Sequence, residues 1–121
     1  MPYNFERLEV WDLALAYTDV VYDIVAQLPG EERFNLASQL RRAATGIALN
    51  IAEGSTSQSR KEQARFLGMA IRSLVETVAC QHLIRRRGYP VDDGLLDRAY
   101  ADSELLFRKL QAFRRSLGGR A

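Results

Sequence analysis

The sequence predicts an all-α fold, an antiparallel up-down-up-down four-helix bundle. Apolar residues recur at helical spacing through most of the 121 residues. The three prolines and eight glycines fall mostly between the periodic stretches. No stretch of useful length alternates apolar and polar residues as a half-buried strand would. Four periodic segments with short connections suit a bundle whose neighbours run in opposite directions. A chain of this length makes about one domain, expected to span residues 1–121. With 47% hydrophobic and 26% charged residues it can bury a core without metals or disulfides.

Helix one is expected over residues 5–28, stopped by Pro29-Gly30. Its polar residues, Glu9, Asp12, Asp19, Asp23 and Gln27, crowd into one sector. The apolar remainder covers over half the circumference, where a bundle needs a stripe of about 100°. That surplus predicts a subunit interface supplied by Trp11, Tyr17, Val21 and Val25. The plainer alternative is a central helix covered by its own chain.

Helix two is expected over 31–53. Glu31 and Glu32 suit a positive helix start, and Gly54 reads as the glycine just past its end. Its core stripe is Leu36, Leu40, Ala44, Ile47 and Ile51. Beside it runs a second ridge with small residues that would admit another helix. From this ridge Arg42, Gly46, Asn50 and Glu53 join the expected oligomer interface. A solvated flank is the alternative.

Helix three is expected over 60–87. Ser59-Arg60-Lys61-Glu62 reads as a capping box, and Gly88-Tyr89-Pro90 ends the helix. Its stripe is Phe66, Leu67, Ala70, Leu74 and Val78. Helix four is expected over 93–117, capped by Asp92 or Asp93. Its stripe is Leu95, Ala99, Leu106, Leu110, Phe113 and Leu117, and a frayed tail over 118–121 should follow.

Catalytic chemistry finds no support. A di-metal carboxylate bundle needs Glu-x-x-His pairs, yet the single histidine, His82, follows Ala79 at that spacing. One Cys and one His do not make a zinc site. Cys80 and His82, two apart on a helix, face different ways. Cys80 reads as a small packing residue and His82 as a helix-end histidine. Gly54-Ser55-Thr56-Ser57 lacks P-loop spacing and reads as a polar loop. The sequence therefore predicts a non-enzyme with no metal site and no cofactor. A lone cysteine, no apolar run near the ~20 residues of a membrane span and no secretion signal at the start predict a cytoplasmic protein with no membrane role.

Charge is the informative property. The net formal charge is only +2, but residues 1–59 carry four Arg against eight acids. Residues 60–121 carry thirteen Arg and Lys against seven acids. An anion or nucleic-acid surface therefore belongs in the second half. Lys61, Arg65 and Arg72 fall on one stripe of helix three, and Arg85, Arg86 and Arg87 extend the charge at its end. On helix four Arg108 and Arg115 share a face, with Lys109 and Arg114 near. Of these, Arg65, Arg72, Arg86, Arg108 and Arg115 are the expected phosphate contacts of RNA or DNA. The plainer account is that these residues complement helix dipoles and keep the chain soluble.

The segment Gln39-Leu40-Arg41-Arg42-Ala43-Ala44-Thr45-Gly46-Ile47, followed by Asn50-Ile51-Ala52-Glu53-Gly54, resembles the signature of the four helix bundle protein family. Its members are also called 23S rRNA intervening-sequence proteins. Leu8-Glu9-Val10-Trp11, Pro29, Phe66-Leu67 with Ala70, Ser73-Leu74-Val75-Glu76 and Gly88-Tyr89 extend the likeness over nearly the whole chain. Two departures stand out. The family commonly has Ser where Gly46 stands, which loosens a local polar contact. It commonly has Gly where Arg72 stands, which puts close packing there in doubt. The resemblance implies a four-helix bundle, often a homopentamer, and no known enzyme activity. It also implies a loose relation to the basic, nucleic-acid-binding accessory proteins of diversity-generating retroelements. Some members are encoded within ribosomal RNA genes, which suggests RNA as a partner.

Two readings follow. One is a non-catalytic homo-oligomer that binds RNA or DNA through helices three and four. The other is an interaction scaffold for an unidentified protein partner, with no nucleic-acid binding.

Overall fold

The computed structural model describes residues 2–56 and 59–118. Among them lie four long helices and no strand. These are α1 (Glu9–Ala26), α2 (Leu36–Gly54), α3 (Arg60–Arg87) and α4 (Asp93–Ser116), with 3-10 turns at Asn4–Arg7 and Gly30–Glu32. Helix α1 packs on α2 and α4, and α3 packs on the same two, an arrangement consistent with a bundle. No helix among the described residues is long and apolar enough to cross a membrane. Residues 119–121 of the expected frayed tail, and Ser57 and Gln58 of the loop, lie outside the described residues.

The helix ends depart from the sequence reading in instructive ways. Helix one does not start at residue 5: Leu8 is extended at φ −82°, ψ 131° and separates a 3-10 turn from α1. That turn folds back so that Phe5 meets Trp11 edge-on, with centroids 4.6 Å apart. Helix two starts at Leu36 rather than at Glu31. The Glu32 carboxylate reaches forward to accept from Leu36 N at 3.2 Å and Asn35 Nδ2 at 3.0 Å. It thus satisfies one of the free N–H groups at the helix start from outside the helix.

Gly54 is the last residue of α2, not a left-handed cap. A Cβ there would stand 2.8 Å from Phe66 Cβ, so glycine serves the close approach of α2 to α3. Half of the expected capping box forms: Ser59 Oγ accepts from Glu62 N at 3.0 Å. The Glu62 carboxylate turns instead to Arg65, 2.7 Å away. Gly88 ends α3 at φ 68°, the left-handed conformation that favours glycine. Asp92, rather than Asp93, caps α4 by accepting from Leu95 N at 2.8 Å.

The expected stripe of α2 is buried throughout. On α3 and α4 the core is rotated slightly from the expected one. Ile71 and Ile84 join Leu67, Ala70 and Leu74, and Leu96 joins Ala99, Leu106 and Leu110. Phe66, Val78, Leu95, Phe113 and Leu117 are half-buried at its margin. Helix α1 buries Val10, Ala14, Tyr17, Val20, Val21 and Ile24. Two residues assigned to a subunit interface are therefore misplaced: Tyr17 and Val21 face the chain's own core, at 1% and 0% exposure. Part of the wide apolar girth of this helix is spent on two neighbouring helices and on the N-terminal turn, while Leu15 and Tyr22 stay exposed.

A polar chain crosses this core. Thr77 Oγ1 donates to Leu74 O at 2.6 Å, so it accepts from Tyr17 OH at 2.7 Å. The phenol oxygen in turn accepts from Gln81 Nε2 at 2.7 Å. With every proton directed, the Gln81 amide orientation is fixed. Burial pushes the Tyr17 phenol above its ordinary value, although the bonds from Thr77 and Gln81 oppose this.

A second polar tie joins the start of α2 to the end of α3, where Tyr89 OH donates to Glu32 Oε2. That bond, then the Leu36 N–H, holds the Glu32 carboxyl below its ordinary range. The same bond raises the Tyr89 phenol. A depressed carboxylate stabilises the fold above its unfolded-state value, and the contribution is lost as pH falls through the folded value. The raised phenol contributes below its ordinary value and loses its contribution as pH rises through the folded one. Glu32→Gln should therefore melt below the wild type at neutral pH, with the gap closing in acid. Equal melting temperatures at neutral pH would count against this tie.

Candidate nucleic-acid interface

Helices α3 and α4 bring the second-half charges into two groups. The start of α3 meets the end of α4, where Arg60 donates to Ser116 O at 2.6 Å. Lys61, Arg65 and Arg114 line one hollow there with Leu117. Farther along the seam Arg108 lines a second hollow with Phe107, Val75 and Leu74. The first turns of α3 and the last turns of α4 thus place Lys61, Arg65, Arg114 and Arg115 toward one end of the molecule, with Arg72 and Arg108 nearer the middle of their helices. Arg85, Arg86 and Arg87 stand at the other end of α3, beside the acidic start of α4.

The eight predicted cations are not equivalent. Arg65 is tied to Glu62, and its guanidinium lies 5.0 Å from the Phe66 ring centroid. That bond holds the Glu62 carboxyl down and the Arg65 guanidinium up. Both groups are largely exposed, so the pair adds little stability, but it anchors the arginine. Arg85 is 2.6 Å from Asp97 and 3.5 Å from Asp93. Lys61, Arg72, Arg86, Arg108 and Arg115 are exposed and form no ion pair among the described residues. Lys109, by contrast, sits 3.3 Å from Glu9 on α1. Arg72, where the resemblance put packing in doubt, is exposed.

Sequence reasoning placed Arg114 near this surface without choosing it. Arg114 is half-buried, and its guanidinium passes 3.2 Å from where a Cβ on Gly68 would sit. A glycine on the flank of α3 was the available signal. Tyr100 and Phe107 were missed as surface groups. They lie seven apart on α4, beside the core stripe, and remain 45% and 38% exposed.

The expected oligomer residues are also sorted. Trp11 and Val25 are half-buried against the core. Gly46 packs toward α3, where a Cβ would stand 3.1 Å from Ser73 Oγ. The serine usual at that position would meet the Ser73 hydroxyl. Asn50 Nδ2 donates to Gly46 O within its own helix at 2.8 Å. Arg42 and Glu53 are exposed. The large apolar side chains that α1 and α2 leave in solvent are Leu15, Tyr22 and Leu49. Tyr22 and Leu49 share a hollow with Arg42 and Gly46.

Cys80 is buried, and burial followed by the nearby Glu76 raises its thiol, so it is a poor nucleophile. His82 is exposed, edge-on to Tyr100 at 6.2 Å. No cluster of three metal-ligating side chains occurs among the described residues. The sequence model of a protein family described as 23S rRNA-intervening sequence protein matches residues 6–112. No curated protein matches the chain.

Proposed function

The chain belongs to the 23S rRNA-intervening sequence protein family, which is not a known enzyme family, and from that premise we propose that it is a non-catalytic RNA-binding protein. The carrying observation is that Lys61, Arg72, Arg108 and Arg115, on the neighbouring helices α3 and α4, are exposed and form no ion pair among the described residues. Unpaired cations on a shared surface neutralise phosphates and release condensed counterions. The ribosomal RNA in the family's description favours RNA over DNA. The cations at the far end of α3 are secondary, because acids of α4 already engage Arg85.

We read the bundle as antiparallel, up-down-up-down. The contact of Arg60 with Ser116 O supports this, as does that of Gln27 Oε1, at the end of α1, with Asp92 N ahead of α4. We also read it as a homo-oligomer meeting through α1 and α2, with Leu15, Tyr22 and Leu49 in place of the buried Tyr17 and Val21. The same apolar strip is what favours the second reading, a scaffold for another protein.

The test is anisotropy of a labelled single-stranded RNA across a salt series, with the protein's mass fixed by light scattering. Four phosphate contacts should give a log–log slope of roughly −3. An absence of binding even at low salt overturns the RNA reading and leaves the scaffold. A monomer mass overturns the oligomer.

A further inference from the structure

Resting on that RNA reading, we propose that the hollow between α3 and α4 around Phe107 is a nucleobase pocket for single-stranded RNA, selective for bases with an exocyclic amino group. The hollow has a volume of about 320 Å³, room for a single base. Its lining is largely apolar, from Leu74, Val75 and Val78 with the rings of Tyr100 and Phe107, and includes the buried Ser103. Neither ring is needed to seal the core, since both remain more than a third exposed. Two exposed charged residues, Glu104 and Arg108, also line it.

Each part has a use for an unpaired base. Aromatic rings stack on bases only when these are splayed out of a helix, which duplex RNA does not permit. Arg108, exposed beside the hollow, would meet the phosphate of an inserted nucleotide. Arg72 on α3 and Arg115 on α4, both exposed, would continue a phosphate track. Glu104, when ionised, only accepts hydrogen bonds. It pairs with an amino donor such as cytosine N4 and repels the carbonyl oxygen that uracil carries at the same position. A basic patch alone would take strand and duplex alike. The aromatic hollow beside it would not.

The experiment compares labelled oligo(C), oligo(U) and a base-paired RNA hairpin, each of about twelve nucleotides, within the size range of single-strand sites. Oligo(C) should bind about fivefold more tightly than oligo(U) and more tightly than the hairpin. Phe107→Ala should weaken oligo(C) binding by about fivefold or more with the salt slope unchanged. Glu104→Gln, at an exposed position that does not threaten folding, should erase the preference for oligo(C). Equal affinity for oligo(C) and oligo(U), hairpin binding as tight as oligo(C), or a neutral Phe107→Ala overturns the pocket while leaving RNA binding standing. Failure of all three probes at low salt overturns the RNA reading itself.

Discussion

Tyr17→Phe is expected to lower the stability of the fold by about 1–3 kcal/mol, although it removes one oxygen and leaves the ring in place. The ring is 1% exposed and fills the core between α1 and α3, so the packing term is unchanged. What is lost is the central link of the Gln81–Tyr17–Thr77 chain. Thr77 retains its bond to Leu74 O. Gln81 does not recover so easily. Its side chain is 4% exposed, its Oε1 already has no partner among the described residues, and its Nε2 would lose Tyr17. A buried amide left unsatisfied costs more than the bond contributed when made. The melting temperature should fall by about 3–6 °C per kcal/mol for a chain of this size. Tyr17→Phe combined with Gln81→Met should recover most of the loss, because the unsatisfied group then disappears with its partner. A double-mutant cycle by denaturant unfolding reads this coupling directly. Wild-type stability in Tyr17→Phe would show that the chain contributes nothing.

That chain also marks the boundary of what the sequence discloses. Tyr17 reads there as one apolar residue too many on a crowded helix, and its surplus is assigned to another subunit. The hydroxyl partners lie 60 and 64 residues away, at Thr77 and Gln81, which a helical wheel places on α3 without saying what they face. The stripe of α2 was legible in full, because Leu36, Leu40, Ala44, Ile47 and Ile51 lie on one face whatever packs against them. On α3 and α4 the buried face is turned slightly from the stripe that spacing alone picks out. Ile71, Ile84 and Leu96 consequently entered it, and Phe66 and Phe113 moved to the margin. Gly54 shows the same limit. Its position after Glu53 suggested a cap, whereas its use is contact with Phe66 on the next helix. Of the site, the cations of α3 and α4 were visible as charges at helical spacing. Which of them acids already hold was not, since Asp93 and Asp97 reach Arg85 across a helix boundary.

The sorting of those cations yields the second large effect. Arg72→Glu, Arg108→Glu and Arg115→Glu together should reduce RNA affinity at low salt by about a hundredfold or more and flatten the log–log salt slope by about two units. Each substitution removes one phosphate contact and installs a like charge within the Debye length, about 10 Å at moderate salt. The side chains are exposed and unpaired, so the melting temperature should barely move. Arg65 is left out because its guanidinium is already bound to Glu62 and stacked on Phe66. The informative contrast is Arg85→Glu with Arg86→Glu at the far end. Asp93 and Asp97 already offset Arg85 there, so the expected loss is about one phosphate contact and under one unit of slope. Reversed ranking of the two variants would move the RNA track to the junction of α3 with α4. Unchanged affinity in both would remove the basis for any phosphate track on these helices.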